Sequence, residues 1–330
     1  MLKKSRFRVP ILKHSLLIVF TLLLYSCSPV KQESITIGTN IWLGYEPLHV
    51  ADEKKAFDTL NVKFIEYRSA SQVLNGVRKG VLDLATITLD EALRLKSQGV
   101  DVEVIWIFDV SHGADVLIAQ PEIKRIEQLK GKRIGVEDGT LGAYFFNRFL
   151  QINGLQKEDF KRISLEINSH VQYFEQDQID ALVTFEPAKT VIMQQGGVVL
   201  FDSTQLKNEI IDVLVIRKNS PIYKNKAKIQ TFLTQYYTVF SDIKANLNTY
   251  LPLLNMRLKL PLEGVALSYQ GITLPDVQTQ IDIFEDADFI RQTLTRYQTV
   301  LLKLGVIDKP CECDNLFNIE HLKVLNESQN

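Results

Sequence analysis

The amino-acid sequence predicts a protein of the α/β class whose sheets are built mainly from parallel strands, and three observations lead to that prediction. From Ser34 onward, short apolar runs of strand length alternate with amphipathic stretches of helix length, which is the pattern of α/β architecture. The 330 residues suffice for about two domains. Hydrophobic residues make up 45% of the chain and charged residues 23%, which argues against disorder and against a multi-spanning membrane protein.

The individual elements follow from apolar runs that are bounded by turn residues. Strands are predicted at 35–38, 62–67, 83–88, 102–108, 114–119, 132–136, 163–167, 181–184, 198–200 and 213–217. Helices are predicted from near 48, over 70–79, over 89–98 and from 139. The last of these should end at Asn153-Gly154, because these residues favour the left-handed conformation that closes a helix. After Pro221 the chain is predicted to be almost wholly helical.

Two segments of the predicted sheets share one pattern. Residues 80–92 and residues 177–188 each contain a helix end, an aspartate, a short buried strand, a threonine, an acid and the start of another helix. The repeat is compatible with chance, and equally with two similar lobes whose strand carboxyl ends face each other. Ligands of open α/β sheets bind at those ends.

The N-terminus has the features of an export signal. A basic segment precedes an apolar run at 15–25, which is shorter than the about 20 residues needed to span a bilayer. The run ends in Leu24-Tyr25-Ser26-Cys27, which resembles a bacterial lipobox. Residues 1–26 are therefore predicted to be a lipoprotein signal peptide, Cys27 to be lipidated, and 27–33 to form a tether. An uncleaved anchor helix is the alternative.

The charge balance excludes one class of function. Lys and Arg number 38 against 39 Asp and Glu, and no tract rich in Lys or Arg lies outside the N-terminus, so the footprint of a nucleic-acid-binding protein is absent.

The two remaining cysteines, Cys311 and Cys313, lie near the C-terminus. One intervening residue makes an unstrained disulfide between them difficult, so free, cross-linked and metal-binding cysteines all stay open. No histidine or second cysteine pair lies nearby to complete a zinc site. Neither a metal nor a cofactor is predicted.

No catalytic constellation is present in the sequence. The five histidines are scattered, and the HExxH, GxSxG, Walker A and complete GxGxxG motifs are absent. The nearest feature is 139–143, where backbone N–H groups and the Thr140 hydroxyl lie at a predicted helix N-terminus. Such a position suits a ligand oxygen, and a plain capped helix start explains it equally well.

The loops that follow the predicted strands are rich in acids and aromatic residues and hold hardly any Lys or Arg. Helix N-termini favour acids through the helix dipole alone, so capping accounts for part of this excess. A cleft lined by acids and aromatic rings suits an amine or a cationic heterocycle. The acids are Glu46, Asp90, Glu91, Asp109, Asp115, Glu137, Asp138, Glu186 and Asp212, and the aromatic residues are Trp42, Tyr45, Phe108, Tyr144 and Phe185.

At these loops the sequence resembles the family of ABC-transporter substrate-binding proteins that serves nitrate, taurine, alkyl sulfonates and thiamine-precursor pyrimidines. The resemblance covers about residues 35–220. Each motif alone is weak, and their order and spacing together carry the resemblance. The motifs are 42–48 (WLGYEPL), 84–95 (LATITLDEALRL), 109–115 (DVSHGAD), 129–137 (LKGKRIGVE), 141–144 (LGAY), 183–187 (VTFEP) and 211–215 (IDVLV).

The resemblance implies a two-lobed periplasmic-binding-protein type II fold. Each lobe would be a mixed, mostly parallel sheet flanked by helices, with the ligand cleft between the lobes. Lobe 1 would comprise 34–115 plus 216–330, and lobe 2 would comprise 116–215. The strands at 114–119 and 213–217 would cross between the lobes and carry the hinge.

The resemblance also implies a set of ligand-contacting residues. Trp42 and Tyr45 would supply apolar and stacking contacts, while Asp90 and Glu186 would orient polar groups of the ligand. The full set is Trp42, Gly44, Tyr45, Thr88, Asp90, Ser111, Thr140, Leu141, Gly142, Thr184 and Glu186.

The expected function is therefore that of an extracytoplasmic receptor for an ABC importer. It would capture a small nitrogenous or sulfonate-type ligand by lobe closure and deliver it to the permease subunits. We expect a monomer without enzymatic activity, held by its lipid anchor at the outer face of the cytoplasmic membrane or in the periplasm. The clustered cysteine motif of the related pyrimidine-synthesising enzymes is missing. The alternative is an exported enzyme or sensor of the same fold that acts on a pyrimidine- or amine-type metabolite.

Overall fold

The computed structural model describes residues 33–313 and 315–328. The predicted signal peptide, Cys27 and all but the last residue of the predicted tether lie outside the described residues. None of the helices in the described ranges is long and apolar enough to cross a membrane.

The strands, in chain order, are β1 (Ile35–Thr39), β2 (Val62–Glu66), β3 (Leu84–Thr88), β4 (Val102–Ser111), β5 (Val116–Ala119), β6 (Arg133–Val136), β7 (Lys161–Ser164), β8 (Ala181–Thr184), β9 (Val198–Asp202), β10 (Ile211–Arg217) and β11 (Ile272–Thr273). The helices are α1 (Glu46–Glu53), α2 (Ala70–Arg78), α3 (Leu89–Ser97), α4 (Leu141–Ile152), α5 (His170–Glu175), α6 (Ala188–Gln194), α7 (Lys226–Ala245), α8 (Leu247–Leu258), α9 (Leu262–Tyr269), α10 (Val277–Glu285), α11 (Ala287–Lys303) and α12 (Glu320–Glu327). All ten predicted strands are present, and the short strand β11 interrupts the helical C-terminal part.

The strands form two sheets with one shared arrangement. The first sheet has the order β11-β4-β10-β3-β1-β2, and the second has the order β7-β6-β8-β5-β9. In the first, β1 is parallel to β2 and β3, while β10 lies antiparallel between β3 and β4. In the second, β6 is parallel to β7 and β8, while β5 lies antiparallel between β8 and β9. The predicted mixed, mostly parallel sheets are thereby confirmed.

The repeated sequence pattern occupies equivalent places in the two sheets. Gly80 (φ 70°) and Asp177 (φ 51°) both adopt the left-handed conformation between a helix and the next strand. The Asp83 carboxylate accepts the second backbone N–H of β1 at 2.9 Å, and the Asp180 carboxylate accepts the first backbone N–H of β6 at 2.7 Å. Each aspartate thus ties the start of its strand to the start of the parallel neighbour.

The strand pairing corrects the predicted hinge and one lobe boundary. The strand β5 pairs only within the second sheet and β10 only within the first, so neither crosses between lobes as predicted. The boundary predicted at 215–216 falls inside β10, which is hydrogen-bonded on both sides and is therefore a poor pivot. We propose instead that the hinge lies in the two crossovers, 112–115 and 203–210. The term first lobe is used below for 34–111 with 211 onward, and second lobe for 116–202.

One hydrophobic core extends through both lobes within the compact unit that begins at Ser34. It includes Ile87 and Leu93 of the first lobe, Phe145 and Phe149 of the second, and Val300 of α11. The helix α11 packs against α3 in one lobe and against α4 in the other. The C-terminal helices therefore cover the junction of the two lobes as well as the first sheet.

The second crossover is anchored at Glu209. Its buried carboxylate accepts the Tyr144 hydroxyl at 2.8 Å and the Arg148 guanidinium at 2.7 and 2.9 Å, both from α4. Its backbone carbonyl accepts the Tyr297 hydroxyl of α11 at 2.6 Å. The crossover is thus fixed to one helix of each lobe.

The two C-terminal cysteines form a disulfide, which the sequence analysis considered difficult. Cys311 and Cys313 have Cα atoms 5.4 Å apart, which lies within the ordinary range for disulfides. An extended backbone would place these two Cα atoms about 6.6–7.2 Å apart, so the chain is bent at the single residue between the cysteines.

Candidate functional site

A cavity of about 40 Å³ lies between the two lobes, at the carboxyl ends of β1 and β3 in one sheet and of β6 and β8 in the other. This volume holds only a few water molecules, so the two lobes lie close together. Its walls come from both lobes: Asn40, Trp42, Tyr45, Ala70, Thr88, Glu91, Asp115, Glu137, Thr140, Leu141, Gly142, Phe145, His170, Val183, Phe185 and Asp212.

The loop after β1 places two aromatic side chains in the cavity. The Trp42 indole N–H donates to Oδ2 of Asp109 at 2.9 Å, and the Tyr45 hydroxyl donates to the Asp212 carboxylate. Gly44 lies between them, and a Cβ at this position would be 1.7 Å from Oδ2 of Asp109. Only glycine leaves room for this close approach, so the loop depends on it.

Aromatic rings of opposite lobes meet across the cleft. The Trp42 ring of the first lobe packs edge-on against the Phe185 ring of the second, with centroids 5.5 Å apart and an interplanar angle of 84°. Such edge-to-face pairs add to the stability of the contact beyond their buried area. Trp42 is therefore placed to report on the separation of the lobes.

The cavity wall is acidic. Four carboxyl groups line it, those of Glu91, Asp115, Glu137 and Asp212, and none of the described residues that line it is a lysine or arginine. A fifth, Asp109, lies next to Asp212 in the paired strands β4 and β10. All five are buried, and an unpaired buried carboxylate is costly.

Burial raises the pKa of each of these groups. It raises the pKa of Asp115 to about 6, although the Ser111 hydroxyl and the Lys189 ammonium act in the opposite direction. It raises the pKa of Glu137 to about 7, against the hydrogen bonds from Ser71.

The pKa values of the remaining three acids are raised as well, and repulsion from neighbouring carboxylates adds to the effect of burial. Burial, followed by the charge of Asp90, raises the pKa of Glu91 to about 7. Burial also raises the pKa of Asp109 to about 8. For Asp212, burial and then the charge of Asp109 raise the pKa well above its ordinary value. The site therefore favours the binding of protons or of a cationic group.

One carboxylate oxygen of the cavity wall has no partner. Oδ2 of Asp115 is buried and accepts no hydrogen bond from any described residue, while Asp115 as a whole is 3% exposed. A buried acceptor without a donor costs about 1–3 kcal/mol. Oδ1 of Asp109 also lacks a partner, but Asp115 is the residue of the two that lines the cavity.

The histidine in the cavity wall is neutral near pH 7. Burial lowers the pKa of His170 to about 4. Its Nδ1 lies 3.0 Å from the Thr184 hydroxyl. His170 therefore adds no positive charge to offset the acids.

Six of the eleven predicted ligand-contacting residues line the cavity: Trp42, Tyr45, Thr88, Thr140, Leu141 and Gly142. The other five, Gly44, Asp90, Ser111, Thr184 and Glu186, do not line it, and whether they contact a ligand stays a prediction. They are buried, and their polar atoms bond to neighbouring protein groups. That the six wall residues contact a ligand stays a prediction.

Three of these five residues make polar contacts with neighbouring side chains or backbone groups. Asp90 accepts the Thr88 hydroxyl at 2.7 Å, and Thr184 holds His170. Glu186 lies 3.6 Å from the Lys189 ammonium and accepts the Thr190 backbone N–H. It therefore orients the first turn of α6, and its predicted contact with a ligand stays a prediction.

Ten residues of the wall were not among the predicted ligand-contacting residues. Five of them, Glu91, Asp115, Glu137, Phe185 and Asp212, were in the acidic and aromatic set of the loops, so composition did signal them. Val183 belongs to the motif 183–187 but was not selected, and the other four carry no motif and became visible only in the fold: Asn40, Ala70, Phe145 and His170.

No metal centre is evident in the described ranges, since no three or more His, Cys, Asp or Glu side chains there are placed to hold an ion.

Two sheets of the same arrangement, with a cleft at the carboxyl ends of their strands, define the class of two-lobed proteins with the periplasmic-binding-protein fold. Within that class, the sequence profile of the NMT1-like family matches residues 28–238. The chain belongs to this family.

Two relatives come from Escherichia coli (strain K12). A binding protein for aliphatic sulfonates is 23% identical over 216 residues, which are 64% of this chain and 67% of that protein. The taurine-binding periplasmic protein is 23% identical over 192 residues, which are 55% of this chain and 60% of that protein. The predicted resemblance to the taurine and sulfonate binding proteins is confirmed, and the match spans about two thirds of their length.

Solved structures confirm the predicted fold. The periplasmic aliphatic sulphonate binding protein SsuA of Escherichia coli superposes with a TM-score of 0.68 at 18% identity, over 86% of this chain and 97% of that one. The ligand binding component of an ABC-type import system from Staphylococcus aureus has a TM-score of 0.71 at 14% identity, over 88% and 98%. The desulfurization enzyme DSZB shares the fold as well, with a TM-score of 0.65 at 14% identity, over 90% and 100%.

Proposed function

We propose that this protein is the exported receptor of an ABC importer, and that its ligand is a small organic compound carrying a protonated amine or several N–H donors. The receptor class follows from the family and from the cleft between two lobes. The ligand class rests on one observation, the unpartnered and buried Oδ2 of Asp115 in a wall whose described residues include carboxyl groups and no cationic side chain.

A nitrogenous ligand satisfies what the cavity lacks. An N–H donor at Oδ2 of Asp115 would form a charge-assisted hydrogen bond, which contributes about 1.5–3 kcal/mol. The rings of Trp42 and Tyr45 lie in the same wall and offer faces or edges to a cation or a flat heterocycle. Both interactions select the same chemical class.

An anionic ligand fits the same wall poorly. A sulfonate would lie among four carboxyl groups without a lysine or arginine in the described wall. Its charge would be opposed by each carboxylate that stays ionised. The relatives' names therefore identify the class of protein but are a weak guide to the ligand of this chain.

We also propose where the receptor is located and what it interacts with. The lipobox-like sequence at Cys27 supports a lipid anchor, and the periplasmic relatives support an extracytoplasmic location. Delivery of the ligand to permease subunits follows from the receptor class. We propose that the protein acts as a monomer, since each site is completed by the two lobes of one chain.

The first test is a ligand screen on the purified protein by thermal shift and calorimetry. The panel contains alkylamines, aminopyrimidines, taurine, ethanesulfonate and nitrate. A ligand present at ~100 times its Kd stabilises the folded state by about 2.7 kcal/mol, so a shift with amines or aminopyrimidines is the expected result. A shift with ethanesulfonate or nitrate alone would contradict the proposed ligand class.

The Asp115→Asn variant tests whether ligand binding depends on the Asp115 carboxylate. We expect it to weaken binding of the compound found in the screen by about 10- to 100-fold. The matched control is Asp138→Asn, because Asp138 lies in the loop after β6 and pairs with Arg162 at 3.0 Å instead of lining the cavity. Equal loss in both variants would show that Asp115 has no special role.

The same screen separates the receptor from the alternative enzyme. The fold is shared with a desulfurization enzyme, and carboxyl groups with a pKa near 7 are suited to proton transfer. Mass spectrometry of the compound after incubation decides: an unchanged compound supports the receptor, and turnover by the purified protein supports the enzyme.

A further inference from the structure

We propose that Glu91 and Glu137 determine the specificity of the cleft against anions, because each carboxylate occupies a helix N-terminus of the opposite lobe where an anionic ligand would otherwise bind. This inference deepens the proposed function, since it explains how the cleft of this chain excludes the sulfonate class.

The first contact comes from the second lobe. Glu137 follows β6, and its Oε1 accepts the Ser71 hydroxyl at 2.8 Å and the Ser71 backbone N–H at 3.3 Å. Ser71 is the second residue of α2 in the first lobe. The carboxylate of one lobe therefore satisfies a free N–H in the first turn of a helix of the other.

The second contact runs in the reverse direction. Glu91 belongs to α3 of the first lobe, and its Oε1 accepts the backbone N–H of Leu141 at 3.3 Å. Leu141 is the first residue of α4 in the second lobe. The other oxygen, Oε2, accepts the backbone N–H of Thr88 at 3.1 Å, so one carboxylate bridges the N-termini of α3 and α4.

Both occupied positions face the ligand space. Ala70 begins α2, Leu141 and Gly142 begin α4, and all three line the cavity together with both glutamates. Exposed N–H groups at a helix N-terminus attract anions through their dipoles. In this chain the attraction is already satisfied by carboxylates that are 5% and 2% exposed, those of Glu137 and Glu91 respectively.

The two glutamates thus differ in role from Asp115. Asp115 has an oxygen without a donor and is open to a ligand N–H. By contrast, Oε1 of Glu137 and Oε1 of Glu91 each accept hydrogen bonds across the cleft, and Oε2 of Glu91 accepts one within its own lobe. An anion would have to displace them from both helices and would then meet their charge. A cationic ligand leaves both contacts in place.

The test measures ethanesulfonate binding by calorimetry in the wild-type protein and in the double variant Glu91→Gln/Glu137→Ala. Alanine at 137 vacates the N-terminus of α2. Glutamine at 91 removes the charge and retains an oxygen for the Thr88 N–H. We expect ethanesulfonate affinity to increase at least about tenfold in the double variant.

Three further proteins make the result interpretable. Glu137→Asp keeps the charge and should bind ethanesulfonate as poorly as wild type does. Glu166→Ala is the matched control, because Glu166 also accepts a hydrogen bond from α2, from the Gln72 side chain at 3.2 Å, at an exposed position outside the cavity wall. It should leave anion binding unchanged. If the double variant unfolds, Glu137→Gln alone is measured, with a smaller gain expected.

The inference is overturned if wild type binds ethanesulfonate as tightly as the folded double variant does, or if Glu166→Ala gives the same gain. Its failure is distinct from that of the proposed function. Wild type that binds an amine while no variant gains anion affinity refutes only the role of the glutamates. Variants that gain anion affinity while wild type binds no nitrogenous compound refute only the ligand class.

Discussion

The Trp42 indole N–H donates a hydrogen bond to the Asp109 carboxylate at 2.9 Å across a space that a side chain at position 44 would fill. A Cβ on Gly44 would also lie 2.7 Å from the indole nitrogen. Backbone conformation does not explain this glycine, since its φ is not positive. Glycine is required at this position for steric reasons. Its small size lets the loop after β1 contact the acid pair at the centre of the first sheet.

We therefore expect Gly44→Ala to lower the free energy of unfolding by about 1–3 kcal/mol, the usual cost of overpacking a buried position. The Trp42 fluorescence should change as the indole loses its carboxylate partner. Urea unfolding with fluorescence detection measures both. The control is Gly264→Ala within α9, where the nearest atom is 3.3 Å away on the Thr190 side chain. It should be neutral or stabilising by up to about 1 kcal/mol, and an equal loss in both variants would contradict the steric argument.

Substitution of Glu209 should strongly lower the free energy of unfolding. Glu209→Ala would leave the Tyr144 hydroxyl and the Arg148 guanidinium without their shared acceptor, so a loss of about 3–5 kcal/mol is expected. Chemical denaturation measures it. Glu158→Ala removes an exposed ion pair with Lys157, at 3.8 Å, and should cost well under about 1 kcal/mol. Similar losses in the two variants would show that the crossover is not anchored there.

Stability should fall as the pH rises above neutrality. Burial raises the pKa of Glu46 and of Asp109 to about 8 and that of Glu137 to about 7. A raised pKa means that the folded state holds protons the unfolded state has released, so the free energy of unfolding decreases as the pH rises through these values. His49 and His170 act in the opposite direction only below about 6.5, because burial lowers their pKa.

Urea unfolding at pH 6.5 and at pH 8.5 tests this sign without the histidine contribution. A loss of a few kcal/mol towards pH 8.5 is expected, because each group that is protonated only in the folded state lowers the free energy of unfolding by about 1.4 kcal/mol per pH unit. Glu137→Gln should flatten the profile, because it removes one group with a raised pKa. Stability that increases with pH over this range would contradict the raised pKa values. A cationic ligand should bind more tightly at the higher pH and release protons as it binds.

The Cys311–Cys313 disulfide should contribute little to stability. It closes a loop with a sequence separation of 2, and loop-closure entropy for so short a ring amounts to only about 1–2 kcal/mol. Thermal unfolding with and without reductant measures it, with the Cys311→Ser/Cys313→Ser variant as the control that reductant should not affect. A loss of several kcal/mol on reduction would mean that the bond orders more of the chain than its own loop.

The sequence predicted the sheets well because their signals are local. Central strands such as β3 and β8 are apolar runs buried along their whole length, and the repeated Asp83 and Asp180 mark the strand starts. The two crossovers between the lobes were harder to predict. The strand β10 reads like any other apolar run, and its place between β3 and β4 depends on pairing with residues more than a hundred positions away.

The site was predicted only in part, because loop motifs are local signals whereas side-chain direction depends on the fold. Trp42 and Thr140 belong to loop motifs and do line the cavity, whereas Glu186 has the motif and faces Lys189 instead. Whether an acid after a strand points into the cleft or behind it depends on the twist of the sheet and on side-chain partners from other elements. His170 and Phe145 are helical residues that lie outside the motifs, and only packing brings them to the wall.

The position of β10 between β3 and β4 also sets the order in which the two sheets can be completed. The second sheet is built from one uninterrupted stretch, 116–202, so it can assemble as soon as that stretch has been synthesised. The first sheet holds an unfilled position between β3 and β4 until Ile211–Arg217 arrives, and pairing over such sequence separations is slow. A chain that stops before Ile211 would expose two long, apolar strand edges and would be expected to aggregate.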